Sequence, residues 1–252
     1  MPLHLRLLLP TLCLALGMGL GYIQPLGLLA GSIFIALLLG AEQRLPGPLW
    51  WGLSMLACIV LAAHALPGFI ATALWPARQL SSDAPSYALR LSWDKLLVGL
   101  TLLAWWWGQK SAVKPLSNTL WLTIALTLLG VPLLALSLGL VGWQVKWPQD
   151  LWLWLAVNLG VAVLAEELLF RGLLQTRLVR WLGVVPGVGL TAALFAAVHL
   201  PFSPLFAVVA GVAGLGYGLV FQLSGRISLA IAVHGAVNLL HLLLLSYPLR
   251  LA

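Results

Sequence analysis

LWLWLAVNLGVAVLAEELLFRGLLQTRLVRWL, residues 151–182, is the stretch on which the fold turns. Fifteen uncharged residues lead into Glu166, Glu167 and Arg171, and the segment closes on Arg177 and Arg180. Its length and oiliness predict a helix that spans a bilayer. An ionisable side chain near the bilayer centre costs about 2.5–3.5 kcal/mol on insertion scales. Three of them within one segment therefore call for partners or a wet cavity.

The rest of the chain supports a membrane setting. Of 252 residues, 62% are hydrophobic and 8% charged, and the mean hydropathy is +1.06. Soluble domains carry about 25% charged residues, so this chain cannot cover a water-exposed surface. Thirteen Trp fit an interfacial belt, since Trp favours the membrane–water boundary. Trp50-Trp51, Trp105–Trp107, Trp143, Trp147, Trp152 and Trp181 mark segment ends. The net charge of +7 is spread over short loops, as beside anionic headgroups. No basic stripe interleaved with aromatics points to nucleic acid. Cys13 and Cys58 lie in apolar runs and form neither a disulfide framework nor a metal knuckle.

Nine apolar runs are long enough to be candidate spans: 3–21, 25–41, 49–67, 88–108, 117–142, 151–182, 184–200, 205–223 and 227–247. The expected fold is all-α, a polytopic transmembrane helix bundle of eight or nine spans with seven as the lower count. The 88–108 run is the weakest, because Arg90, Asp94 and Lys95 crowd its start. The first run is read as a retained span and not a cleaved leader. Residues 68–94 form one extramembrane loop. The expected division is 1–150, N-terminal spans, and 151–247, a core that holds the polar clusters. Flanking Lys and Arg, seven against five with Lys110 among the seven, place the N-terminus on the cytoplasmic side. The setting inferred is a multi-pass protein of a bacterial cytoplasmic membrane.

Helical spacing separates the two glutamates. Glu167 and Arg171 are i and i+4 and stack on one face, with the acid N-terminal to the base. Glu166 points about 100° away, stacks on Phe170 and has no partner in the local sequence. Two further clusters follow, Phe195-x-x-x-His199 and His234-x-x-x-Asn238. Counting about 1.5 Å per residue from the expected turns brings Glu166, His199 and His234 to one level, about 13 Å inside the boundary. His234 and Asn238 share a face, with His241 close to it. His64 is read as an interfacial histidine outside the site.

Glu and His around a wet pocket suit water activation. Glu166 would take a proton from water, His199 would hold that water, and His234 and Asn238 would donate to a developing oxyanion. Glu167 and Arg171 are read as structural. A divalent metal such as zinc could instead be held by Glu166, His199 and His234 with one position open for water; nothing in the spacing requires it. No Gly-x-Ser-x-Gly elbow and no His-Glu-x-x-His occurs.

Glu-Glu-x-x-x-Arg, Phe-x-x-x-His and His-x-x-x-Asn, in that order, resemble the motifs of the CPBP family. That family comprises the type II CAAX prenyl endopeptidases and the bacteriocin-processing or self-immunity (Abi) proteins. The resemblance covers about 151–247 and finds no departure at the seven motif positions, Phe195 included. It implies an intramembrane endopeptidase in which Glu166, His199, His234 and Asn238 are catalytic and Glu167 and Arg171 support them. The family is often labelled metalloprotease, and a metal-free, glutamate-activated mechanism is also held for it. Eukaryotic members cut prenylated tails; bacterial relatives mostly lack that substrate, so the substrate does not transfer. The partners expected are the lipid bilayer and a peptide or protein substrate. Two alternatives stay open. One is a catalytically silent immunity or scaffold protein of the same fold. The other is a proton-coupled transporter, disfavoured because the first five spans offer few polar groups beyond Gln24 and His64.

Overall fold

The computed structural model describes residues 2–109 and 113–251. Lys110, counted above in the charge balance, lies outside them. Each of the nine candidate runs contains a helix: α1 (Leu3–Gly19), α2 (Pro25–Gly40), α3 (Gly47–Ala62), α4 (Trp93–Trp106), α5 (Asn118–Ser137), α6 (Leu151–Leu182), α7 (Val184–Ala197), α8 (Pro204–Ser224) and α9 (Ile227–Leu244). Among the described residues, α5, α6, α8 and α9 are long and apolar enough to cross a membrane. Helices α1, α2, α3 and α7 are apolar but shorter. Helices α3, α5 and α7 end three to five residues earlier than hydropathy alone predicts, at Ala62, Ser137 and Ala197, whereas α6 and α8 end where glycines stop them. Gly225 in a left-handed conformation caps α8, and Gly183 with φ 88° separates α6 from α7.

The chain divides into two compact units. The first comprises Met1–Leu74, Arg90–Lys110 and Ala156–Leu173. Its centre is α4, which packs on α1, on α3 and on the α6 segment around Glu166. Leu97, Val98 and Leu102 of α4 are fully buried. The run that hydropathy ranks weakest is thus the core of its unit. Its charges weaken it as a span on hydropathy, but Asp94 and Lys95 lie in the first turn of α4 and are partnered there. Arg90 and Leu91 form β2, antiparallel to β1 (Thr72–Ala73), so part of the 68–94 loop is ordered as a small ribbon. Leu8, Leu12 and Leu16 on α1 and Leu26, Leu29 and Ile33 on α2 face outward. Such apolar stripes suit lipid and not water. Trp50 and Trp105 pack on one another inside the unit, ring centres 5.9 Å apart and planes tilted by 37°, and Trp105 Nε1 donates to Glu42 Oε1 at 2.9 Å. These two tryptophans therefore serve packing and not a belt. Trp143, Trp147 and Trp152, outside this unit, are exposed as a belt would have them.

The second unit comprises Trp75–Leu89, Ser111–Leu155 and Leu174–Ala252. Here α8 is central, packed on α7, α5 and α9. Its glycines make the close approaches: a Cβ at Gly214 would meet Phe195 at 2.9 Å, and one at Gly218 would meet Gln175 at 2.8 Å. Small residues at such contacts let helices associate in an apolar medium. The buried Gln175 amide donates to the Gly218 carbonyl at 2.9 Å. At the end of α9, Ser246 Oγ donates to Asp83 Oδ2 at 2.7 Å, and Arg250 Nε pairs with the same oxygen at 3.1 Å. Lys146 Nζ donates to the Leu245 carbonyl. Partial burial lowers the Lys146 pKa, with Asp83 opposing the shift.

Helix α6 is not a regular 3.6-residue spiral. Wider π-type turns cover Asn158–Val163 and Leu168–Gln175, leaving Leu164–Glu167 as a short α segment that bears the two glutamates. Single-turn π-bulges are frequent at functional sites. They carry more residues per turn and less rise, so counting depth at a constant rise does not hold along α6.

The turn from α6 to α7 yields a stability prediction. A Cβ at Gly187 would lie 2.6 Å from Val179 N, whereas one at Gly189 would meet nothing within 4 Å. Gly187→Ala should cost about 1–3 kcal/mol from overpacking, and Gly189→Ala should gain about 0.5–1 kcal/mol. Thermal unfolding of the two purified variants checks the contrast.

Candidate active site

In the first unit the glutamates diverge as their spacing requires. Glu167 and Arg171 are both fully buried, and Arg171 Nε lies 3.2 Å from Glu167 Oε2. The i,i+4 contact survives the π-turns because four residues still bring the chain nearly round one turn. Arg171 also lies 5.9 Å from the centre of the Phe170 ring, a cation–π distance. Glu166, partnerless in its local sequence, has a partner from a distant one: Lys95 Nζ donates to Glu166 Oε1 at 2.8 Å. Both side chains are about one-fifth exposed, 23% for Lys95 and 21% for Glu166. This corrects the picture of a lone acid.

His64 is likewise more than an interfacial residue. It follows α3 in a left-handed conformation, φ 56°, and its Nδ1 pairs with Asp94 Oδ2 at 2.8 Å. Asp94 is buried and its Oδ1 accepts from the Lys95 backbone N–H at 2.8 Å. Sequence reasoning named Asp94 and Lys95 only as reasons to doubt a span. The signal that could have found them was the cost of charge in an apolar helix, applied to α4 as it was to α6.

In the second unit the histidines meet at one cavity. His199, His234 and Asn238 line a cavity of about 100 Å³, with Phe195, Tyr217 and His241. Helix α7 stops at Ala197, so His199 lies in the turn toward α8 and not inside a span, as the prolines at 201 and 204 dictate. That turn ends where Ser203 Oγ accepts the Phe206 N–H at 3.0 Å and caps α8.

The His199 ring has a defined tautomer. Its Nδ1 lies 2.7 Å from the Phe195 carbonyl oxygen, which can only accept, so Nδ1 carries hydrogen. In the neutral ring Nε2 is then the acceptor, the form suited to take a hydrogen bond from water. The Phe195 ring centre lies 4.7 Å from that of His199 and 6.0 Å edge-on from that of His234. His234 also stacks on Tyr217 at 4.4 Å with planes 16° apart, and the Phe195 ring lies beside that stack, 6.3 Å from Tyr217. The Tyr217 stack was missed because nothing in the local pattern of α8 marks it. His241 lines the same cavity, and its Nε2 lies 3.0 Å from the Ser246 carbonyl. Among the described residues no group of three or more His, Cys, Asp or Glu side chains is arranged to hold a metal ion.

The buried ion pair predicts its own stability effect. Removing one partner leaves a buried charge and costs about 3–5 kcal/mol. Arg171→Met should therefore lower the unfolding midpoint sharply, and Glu167→Gln combined with Arg171→Met should recover part of the loss. A thermal melt of the three variants in one detergent reads both effects.

Residues 148–240 match the family model described as type II CAAX prenyl endopeptidase Rce1-like. All seven motif residues, from Glu166 to Asn238, fall inside that stretch. Comparisons with curated proteins and with solved structures found no match. Residues 148–240 thus form an Rce1-like domain, similar to the CAAX-protease-like peptidases of the CPBP family.

Proposed function

We propose that this protein is an intramembrane endopeptidase that hydrolyses a peptide bond with water activated by Glu166. The observation that carries the proposal is the His199 ring, fixed by the Phe195 carbonyl with Nε2 as the acceptor, on a cavity it shares with His234 and Asn238. The family match over 148–240 supports the peptidase class.

In the proposed reaction a water molecule donates one hydrogen bond to His199 Nε2 and loses a proton to the Glu166 carboxylate. The hydroxide oxygen bonds to the peptide carbonyl carbon, and the C=O π pair moves onto oxygen. His234 and the Asn238 amide donate to that oxyanion. Its collapse breaks the C–N bond, and Glu166 returns the proton to the leaving amine. No side chain is acylated. Glu167 and Arg171 take no part in the proton transfers and hold the backbone that carries Glu166.

The test is cleavage of peptides by the purified protein in vesicles, with prenylated CAAX and unmodified sequences offered side by side. Glu166→Gln or His199→Ala should lower kcat by about 10²–10⁴-fold. Asn238→Ala should lower it by about 10²–10³-fold with KM little changed. Normal turnover in both the Glu166 and His199 variants would overturn the proposal and favour a silent scaffold. The same assay with and without a chelator reads metal dependence.

A further inference from the structure

The first unit holds a cluster of polar side chains outside the three motifs, His64, Asp94 and Lys95, and its last member reaches a motif residue. We propose that Lys95 is a positioning residue for Glu166, fixing its carboxylate in the orientation from which it takes a proton from water. The inference rests on the function proposed above and deepens it.

Three features pin the lysine. Its backbone N–H donates to Asp94 Oδ1 at 2.8 Å, while the other oxygen of Asp94 is held by His64 at 2.8 Å. Asp94 lies in the first turn of α4, where the helix dipole favours a carboxylate. One turn further on, Gly99 brings the α4 backbone against α6: a Cβ there would lie 3.4 Å from Ala165 N, next to Glu166. Lys95 and Gly99 are i and i+4 and share a face. That face is therefore set against Ala165–Glu166 by backbone contact, before any side chain adjusts. The ammonium completes the approach at 2.8 Å from Glu166 Oε1.

The long apolar stem of lysine crosses the apolar part of the contact and delivers the charge at its end. An orienting contact of this kind matters to rate more than to binding, since a misplacement of about 1 Å can cost about 10²-fold. Arg171, the cation nearer in sequence, is already engaged with Glu167. The distant Lys95 supplies a cation to Glu166.

The experiment compares Lys95→Met, Lys95→Gln and Lys95→Arg with the wild type in the vesicle cleavage assay, alongside thermal melts. Methionine keeps the stem and removes the charge; glutamine is the second variant should the methionine protein not fold. The expected result is a fall in kcat of about 10²-fold with KM within about two-fold, and recovery of most of the loss in Lys95→Arg. A merely structural lysine would lower the melting midpoint and leave kcat untouched. A folded Met or Gln variant with kcat within about two-fold of wild type would overturn the inference. Glu166→Gln in the same series separates the two levels. Cleavage lost there but kept without Lys95 sinks the lysine's role alone, whereas cleavage kept without Glu166 sinks the parent function as well.

Discussion

A carboxylate in an apolar helix is tolerated only with a partner, and that constraint organises the first unit. Glu167 and Arg171 satisfy it within one helix, fully buried and 3.2 Å apart. Breaking such a pair strands a charge where neither water nor lipid can solvate it, so each partner holds the other in place. The pair pins the turn of α6 that also carries Glu166. Because Glu167 is committed, Glu166 must look elsewhere, and the cation it finds comes from α4. The short α segment Leu164–Glu167 between two π-turns is where both demands are met in successive residues.

The second unit solves a different problem with aromatic rings. His234 stacks on Tyr217 with Phe195 packed beside both, and His199 returns its Nδ1–H to the carbonyl of Phe195. One phenylalanine therefore sets both imidazoles, one through its ring and carbonyl and the other through its edge. Gly214 makes this possible, since any Cβ there would displace the Phe195 ring. The phenylalanine of the Phe-x-x-x-His motif thus has a physical role beyond filling space.

The helices were legible because their signals are local: apolar runs, Gly183 and Gly225 at ends, prolines after His199. The Glu167–Arg171 pair was legible for the same reason, being a matter of i,i+4 spacing. What escaped depends on long-range contact. Lys95 and Glu166 are 71 residues apart, and no helical wheel relates them. His64 and Asp94 are 30 apart, and the stacking of Tyr217 on His234 crosses from α8 to α9. The π-turns of α6 were invisible because hydropathy carries no information about hydrogen-bond register. The crowding of charge in 88–108 weakened that run as a span, yet Asp94 and Lys95 find partners and the apolar face of α4, Leu97, Val98 and Leu102, is the core of its unit.

The proposed function requires Glu166 and His199 to act on one water molecule. The most direct measurement is cross-linking in the native membrane. Cys13 and Cys58, the two cysteines of the chain, are first replaced by alanine, and cysteines are then placed at 166 and 199. A short bifunctional thiol reagent should join the pair within one chain, read as a mass increase of a single linker with both thiols consumed. If each cysteine reacts singly with the reagent and no link forms, the two side chains do not share a site and the account is contradicted.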